Sequence, residues 1–141
     1  MYQLIPTLDT GAYASGDVLF NFVRIEGLAA SKEYFLQSFS VIDASDSGVD
    51  MTLLFAGSAL DLGTVNSAVS ISDSDALQIY GALTISNYIS AWIDLGGAKI
   101  ATVVGGGLVL PSPLYVAGIA GGTATYTASS LTLNLALMPV M

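Results

Sequence analysis

The sequence contains no cysteine and no histidine. Without cysteine the chain can form neither disulfides nor thiolate metal sites. Without histidine it lacks the commonest transition-metal ligand and the usual general base, so a Ser-His-Asp triad is excluded. A Ser-Lys arrangement has only Lys32 and Lys99 to draw on. These absences predict a protein that is not an enzyme and that needs no cofactor.

Positive charge is scarce as well. The chain has three basic residues, Arg24, Lys32 and Lys99, and eleven acidic residues, which gives a net charge of −8. Binding to a phosphate backbone depends on several Lys and Arg contacts, so no nucleic-acid partner is expected. Only 10% of the residues are charged and 53% are hydrophobic, whereas soluble domains average about 25% charged. We therefore expect part of the surface to be covered by other copies of the chain, in an obligate oligomer predicted to be a homotrimer, although Ser, Thr, Asn and Gly could instead solvate it.

The apolar stretch from Ile100 to Ala120 has the length of a membrane span, about 20 residues. Its interior is unsuited to a helix, because Gly105–Gly107 form a glycine run and Pro111 and Pro113 each remove a backbone donor. The stretch is more typical of short strands separated by bends. No membrane partner is therefore predicted.

Alternation of apolar and polar residues gives the clearest local prediction. Four leucines, at 131, 133, 135 and 137, alternate with Thr, Asn and Ala, the pattern of a half-buried strand. Tyr34 to Ile42 also has strand composition, with Phe35, Phe39 and Val41 expected on one face. Turn residues from Asp43 to Asp50 then lead into a strand from Met51 to Ala56, which predicts a hairpin.

The remaining elements are shorter. The sequence predicts a helix of about two turns that Ser72 caps and Gly81 ends, and hairpin turns at Gly96-Gly97 and Gly121-Gly122. Further strands are expected at Gln3–Leu8, Asp17–Ile25, Ala68–Ile71, Ile89–Leu95, Ala98–Val104 and Leu114–Ile119. Together these elements predict one all-β domain over residues 1–141, a β-sandwich of jelly-roll topology with one short helix.

Two groups of residues are candidates for binding. Asp43, Asp46 and Asp50 surround Gly48 and could hold calcium, but they have no EF-hand spacing, and a turn in which Asp and Ser bond their own backbone explains them better. Tyr88 and Trp92 alternate along a predicted strand and could form a platform for sugars, although strand aromatics more often belong to a core or an interface. A carbohydrate-binding or host-recognition module is therefore the alternative function.

Three stretches together carry a family resemblance: TLDTGAYASGDVLF, VSISDSDALQIYG with the later IDLGGAKIATV, and LYVAGIAGGTATYTASSLTLNLAL. In residue pattern and order they resemble small virion proteins of tailed bacteriophages. The resemblance covers most of the chain and is weakest from Arg24 to Glu33. The resemblance implies a capsid decoration or cement protein, often trimeric, that sits on the outside of the head against the major capsid protein. It brings no functional residues with it.

The segment 1–8 suits such an attachment. Tyr2, Leu4 and Ile5 precede Pro6, and proline is confined to the edges of sheets or to regions outside them. We expect this segment to be an edge strand or an arm that contributes apolar contacts to the shell.

Overall fold

The computed structural model describes residues 1–86 and 92–141. Within those residues the chain forms ten strands and one helical turn, α1 (Asp73–Ala76). The strands are β1 (Tyr2–Leu4), β2 (Val18–Arg24), β3 (Glu33–Asp43), β4 (Met51–Ala56), β5 (Ile79–Ile85), β6 (Ile93–Asp94), β7 (Lys99–Val104), β8 (Val109–Pro111), β9 (Tyr115–Ala120) and β10 (Leu131–Pro139).

The strands form two antiparallel sheets that pack face to face. The first sheet has the order β1-β10-β3-β7-β6, with β8 also paired to β3, and the second has the order β2-β9-β4-β5. Successive strands mostly cross from one sheet to the other, so that β1-β10-β3-β7 lies over β2-β9-β4-β5. This double-sheet arrangement is the jelly roll, which confirms the predicted fold class.

The main core lies between the two sheets. The alternation in β10 is confirmed, because Leu131, Leu133 and Leu135 are fully buried. They pack in one cluster with Phe39 of β3 and Phe55 of β4. Burial of each such side chain contributes roughly 1.5–3 kcal/mol to folding.

A second, smaller core lies on the outer side of the β2-β9-β4-β5 sheet. The connection from β4 to α1, residues 57–72, folds back over that face and is called the covering loop below. Leu60 and Leu62 of this loop pack against Phe22, Leu54 and other outward side chains of the sheet. The covering loop therefore removes this outer face from solvent.

One side chain of β2 fastens the covering loop to the sheet. The amide nitrogen of Asn21 donates to the Gly63 carbonyl at 3.0 Å and to Asp61 at 3.1 Å, and its oxygen accepts from the Leu62 N–H at 3.1 Å. Backbone bonds between Val18 and the loop add to these contacts. The loop is thus a fixed layer of the fold.

Two predicted hairpins are wrong. β3 and β4 belong to different sheets, as do β9 and β10, so the turns after Asp43 and at Gly121-Gly122 are crossings between layers. The N–H of Gly121 donates to the Asp50 carbonyl at 2.7 Å and holds the two crossings together. The Gly96-Gly97 turn is confirmed, since Asp94 pairs with Lys99 directly across it.

A bulge changes the predicted face of β3. The pairing of β3 with β10 shifts by one residue between Ala136 and Leu137, which leaves Gln37 without an opposite residue. A one-residue shift reverses the direction of every side chain beyond it. Leu36 is therefore buried and Phe35 is 38% exposed, although Phe35 was expected to share the face of Phe39.

Tertiary pairing also shortens the predicted helix. The Ser72 hydroxyl caps it as expected, accepting from the Asp75 N–H at 3.2 Å. The helix ends at Ala76, however, because Ile79 already pairs with Ala56 as the first residue of β5. Ala68–Ile71 forms only an isolated bridge to Asp17 rather than a strand.

The apolar stretch from Ile100 to Ala120 forms parts of β7, β8 and β9, as the sequence predicts. Among the described residues no helix combines the length and apolar character required to cross a bilayer. Gly105 makes the bend between β7 and β8, with its N–H donating to the Gln37 carbonyl at 2.8 Å.

Candidate functional site

Among the described residues, no segment packs over the outer face of the first sheet. We call it the open face. Residues that pair directly across an antiparallel sheet point to the same side, so the register of the strands identifies its members. They are Gln3, Glu33, Phe35, Gln37, Ser38, Ser40, Ile42, Ile93, Ile100, Thr102, Val104, Val109, Pro111, Thr132, Asn134, Ala136 and Met138.

Glu33, the first residue of β3, is the one charged member among these described residues, although the chain has fourteen charged side chains in all, eleven acidic and three basic. Charged residues cover most protein surfaces, and their depletion is typical of the centre of a protein–protein interface. The composition of the open face is therefore that of a surface that another protein covers.

A polar band crosses the middle of the open face. It is formed by Gln3, Asn134, Ser40 and Thr102, which pair with one another in successive strands. The Gln3 amide donates to Asn134 at 3.2 Å, and the hydroxyls of Ser40 and Thr102 lie 2.8 Å apart. These side chains satisfy one another in pairs, so the band can be covered without leaving all its polar groups unpaired.

Apolar rows lie on either side of the polar band. At one end Phe35 pairs with both Met138 and Val109, and the three are 38%, 46% and 41% exposed. The row at the other end consists of Ile42, Ile100 and Ile93, the last being 63% exposed. Val104 stands between the first row and the band and is 77% exposed.

The acidic cluster that sequence singled out is a turn built around one buried carboxylate. Asp43 is fully buried, and its oxygens accept from the N–H groups of Ser45, Ser47 and Gly48 at 2.9–3.0 Å and from the Ser45 hydroxyl. Asp46 faces Lys99 at 3.7 Å. Among the described residues no group of three acidic side chains is arranged to hold a metal ion.

Self-bonded turns of this kind recur along the chain. Asp9, Asp61 and Asp94 each accept the N–H of the residue two positions on, a glycine in all three cases. Asp9 also accepts from the Asn66 amide at 2.6 Å. The Asn66 bond lowers the pKa of Asp9, and the Gly63 N–H lowers the pKa of Asp61. These carboxylates shape loops, and no catalytic pair of them follows from the geometry.

The predicted arm is an edge strand. Tyr2 packs edge-on against Tyr34 with ring centroids 6.4 Å apart, and Leu4 is 8% exposed. Of the three residues predicted to bind a shell, only Ile5, 51% exposed, points to solvent. Deleting residues 1–6 would therefore also remove part of the core, and a point change at Ile5 is the cleaner test.

The predicted sugar platform is described only in part. Tyr88 lies outside the described residues. Trp92 is half-buried and packs against the main core, where Gly48 and Lys99 lie close to one another beside it. No hydrogen-bond partner for its buried indole N–H lies within the described residues. This placement leaves little of the ring for a sugar to stack on.

A shallow cleft of about 290 Å³ lies elsewhere, at the end of β5. Gly57, Ser58, Gln78 and Tyr80 line it. It lies at the lower end of the size range of small-molecule sites and has no charged group in its lining. The open face is therefore the stronger candidate site.

The chain matches no protein-family model, no curated protein and no solved structure. The candidate site therefore rests on geometry. Sequence reasoning did not identify the open face, although Thr132, Asn134 and Ala136, which alternate with the buried leucines, already show its nearly uncharged composition.

Proposed function

We propose that the protein is a structural virion protein that attaches to the outside of an assembled phage head and reinforces it as a decoration protein. The observation that carries the proposal is the open face, a sheet surface with a single charged residue among its described positions, Glu33, and of the composition found where proteins bury one another. The proposed role is to bind other proteins without catalysing a reaction. Phage heads are proposed as the partner because of the sequence resemblance to phage virion proteins.

The fold is compatible with this role. Jelly rolls occur in viral capsid proteins, and they also occur in lectins and cupins, so the fold alone does not select a function. Cupin-type metal chemistry normally requires histidine ligands, which this chain lacks. A lectin-like role would use an exposed aromatic platform, whereas Trp92 packs against the core. Support for a contact role is therefore stronger than for either alternative.

Attachment to the shell is proposed at the β1 edge of the first sheet. Ile5 is exposed there at the end of a three-residue edge strand. An edge strand presents unpaired backbone groups that a neighbouring chain can bond. Covering Ile5 would add roughly 1.5–3 kcal/mol to binding before the cost of ordering is subtracted. A decoration protein that binds only the assembled head stabilises it by mass action.

The test uses heads purified from the phage that encodes this chain, after deletion of its gene. Purified protein is added back, its occupancy is measured by imaging, and the temperature at which heads release DNA is recorded with and without it. We expect saturable binding and a higher release temperature. The variant Ile5→Asp should bind more weakly at an unchanged melting temperature, whereas Leu77→Asp, made at the 87% exposed residue that follows α1, should bind normally.

Two results would overturn the proposal. The first is an intact, folded protein that fails to occupy heads at any concentration. The second is binding to glycans on an array in place of heads, which would transfer the argument to the carbohydrate-binding alternative. Equal occupancy by Ile5→Asp and Leu77→Asp would remove the β1 edge as the attachment surface.

A further inference from the structure

We infer that the open face binds the open face of a second copy of this chain, so that two molecules pack sheet to sheet about a two-fold axis. The inference builds on the contact role proposed above by naming the neighbour that covers this surface. It leaves the β1 edge free for a different partner. Three observations support a second copy as the occupant.

The first observation is the distribution of charge. Each chain carries a net charge of −8, so two copies repel each other wherever their acidic surfaces meet. The described residues of the open face carry one charge, Glu33 at the first residue of β3. Two like-charged copies can therefore approach through this face with few carboxylates between them.

The second observation is that the pattern of the open face is complementary to itself. Apolar rows, ending in Phe35 and Ile93, lie on both sides of the polar band that contains Ser40 and Asn134. A two-fold axis in the plane of contact, running either along or across the strands, places apolar rows on apolar rows and the band on the band. Self-complementarity of this kind is what an isologous two-fold interface requires.

The third observation is the area. The strands of this sheet contain 34 residues, each covering about 3.3 Å by about 4.8 Å, which gives a flat area of about 540 Å². A face-to-face pair would then bury about 1,100 Å² in total, close to the roughly 1,000 Å² expected of a specific interface. The equivalent face of the other sheet is unavailable, because the covering loop packs on it.

The experiment measures molar mass by light scattering and the dissociation constant by sedimentation, with the wild-type protein and three variants. Val104→Asp and Ile93→Asp place a carboxylate on opposite sides of the polar band, at positions that are 77% and 63% exposed. Leu77→Asp makes the matching change at the exposed residue that follows α1. Wild type and Leu77→Asp should form pairs, and each open-face variant should raise the dissociation constant roughly 100-fold, because the pair buries the new charge twice.

Salt gives an independent readout. Because the copies carry like charge and meet through nearly neutral surfaces, raising the salt concentration should strengthen the pairing. Circular dichroism of each variant at low concentration, where all are monomeric, checks that the fold is unchanged.

A monomeric wild-type protein up to about 100 µM would overturn the inference, as would equal weakening by Val104→Asp and Leu77→Asp. A trimer, the state that the resemblance implies, would overturn the two-fold arrangement. Pairing is measured without heads, so its outcome is independent of attachment. A protein that pairs but does not bind heads would refute only the decoration role. A protein that binds heads as a monomer would refute only the pairing.

Discussion

Replacing Asp43 by asparagine tests the claim that the acidic turn is structural. The two side chains have nearly the same shape, but asparagine has one acceptor oxygen where the carboxylate has two. Each oxygen of Asp43 now accepts two hydrogen bonds, one pair from Ser45 and the other from the N–H groups of Ser47 and Gly48. In the variant, one pair of donors would face an NH₂ group.

The magnitude follows from one lost bond and the weakening of the others. The asparagine can turn its NH₂ toward Ser45, whose hydroxyl can accept from it, so only the Ser45 N–H loses its acceptor. Hydrogen bonds to a charged group contribute about 1.5–3 kcal/mol each, roughly twice as much as neutral ones, so the lost bond and the weakened ones together cost about 3 kcal/mol. At roughly 4 °C per kcal/mol for a domain of this size, the melting temperature should fall by about 12 °C.

The assay is thermal unfolding at one fixed protein concentration, because association would otherwise shift the midpoint. Asp46→Asn is the matched control: it makes the same change in the same turn, at a carboxylate whose only described ion pair is with Lys99 at 3.7 Å, and exposed pairs contribute little. A shift no larger for Asp43→Asn than for Asp46→Asn would refute the reasoning. A melting temperature that calcium raises, and that Asp43→Asn makes insensitive to calcium, would show that the turn binds the ion.

The remaining predictions concern the backbone and the two ends of the pH range. Gly105→Ala would place a methyl carbon against the Leu36 carbonyl oxygen of β3, so it should lower the free energy of unfolding in urea by about 3 kcal/mol, whereas Gly97→Ala, with open space around it, should change it by under about 0.5 kcal/mol. The hydrogen bond from Asn66 lowers the pKa of Asp9 below its ordinary 3.8. The ionised Asp9 therefore adds to the stability of the fold above that pH, and this stabilisation is lost on acidification. Asp9→Asn should make the fall in melting temperature between about pH 5 and pH 3 less steep. Burial raises the pKa of Tyr126 above its ordinary 10.0. Above that pH the tyrosine ionises in the unfolded chain before it ionises in the fold, so the stability of the fold decreases. Tyr126→Phe should make the melting temperature less sensitive to pH above about pH 10.

Sequence periodicity predicted the elements whose structure is local. The leucines of β10 are buried as their alternation requires, and the turn at Gly96-Gly97 joins β6 to β7 as its composition requires. The number and spacing of such strands were sufficient to predict a jelly roll, because a short sandwich of this kind has few arrangements that bury every strand.

The predictions that failed depended on contacts distant in sequence. Turn residues after Asp43 look the same whether the next strand returns to the same sheet or crosses to the other. The bulge at Gln37, which turns Phe35 outward, follows from pairing with β10 almost a hundred residues later. Ile79 has helical neighbours in sequence but pairs with β4, since tertiary pairing overrides local preference.

The candidate site was predictable in composition but not in place. The small uncharged residues that alternate with the leucines of β10 are visible in the sequence. Which sheet stays uncovered depends on where the covering loop packs, and its apolar residues, such as Leu60, Leu62 and Val69, follow no regular period. The terminal segment was predicted to be an edge strand or an arm over residues 1–8; only Tyr2–Leu4 forms a strand, and the packing of Tyr2 and Leu4 required the partner strand to be known.

The covering loop limits how far such molecules can assemble. A β-sandwich with two exposed outer faces could bind another copy on each face. Every added copy would expose a further binding face, so the assembly would grow into a polymer of indefinite length. With Leu60 and Leu62 packed over one face, the described part of the chain leaves one outer sheet face exposed, and pairing through that face would cover it. The sixteen residues between β4 and α1 would thus determine whether the protein forms a finite pair or a fibre. Loosening them, for instance by Asn21→Ala, should convert soluble pairs into polymers.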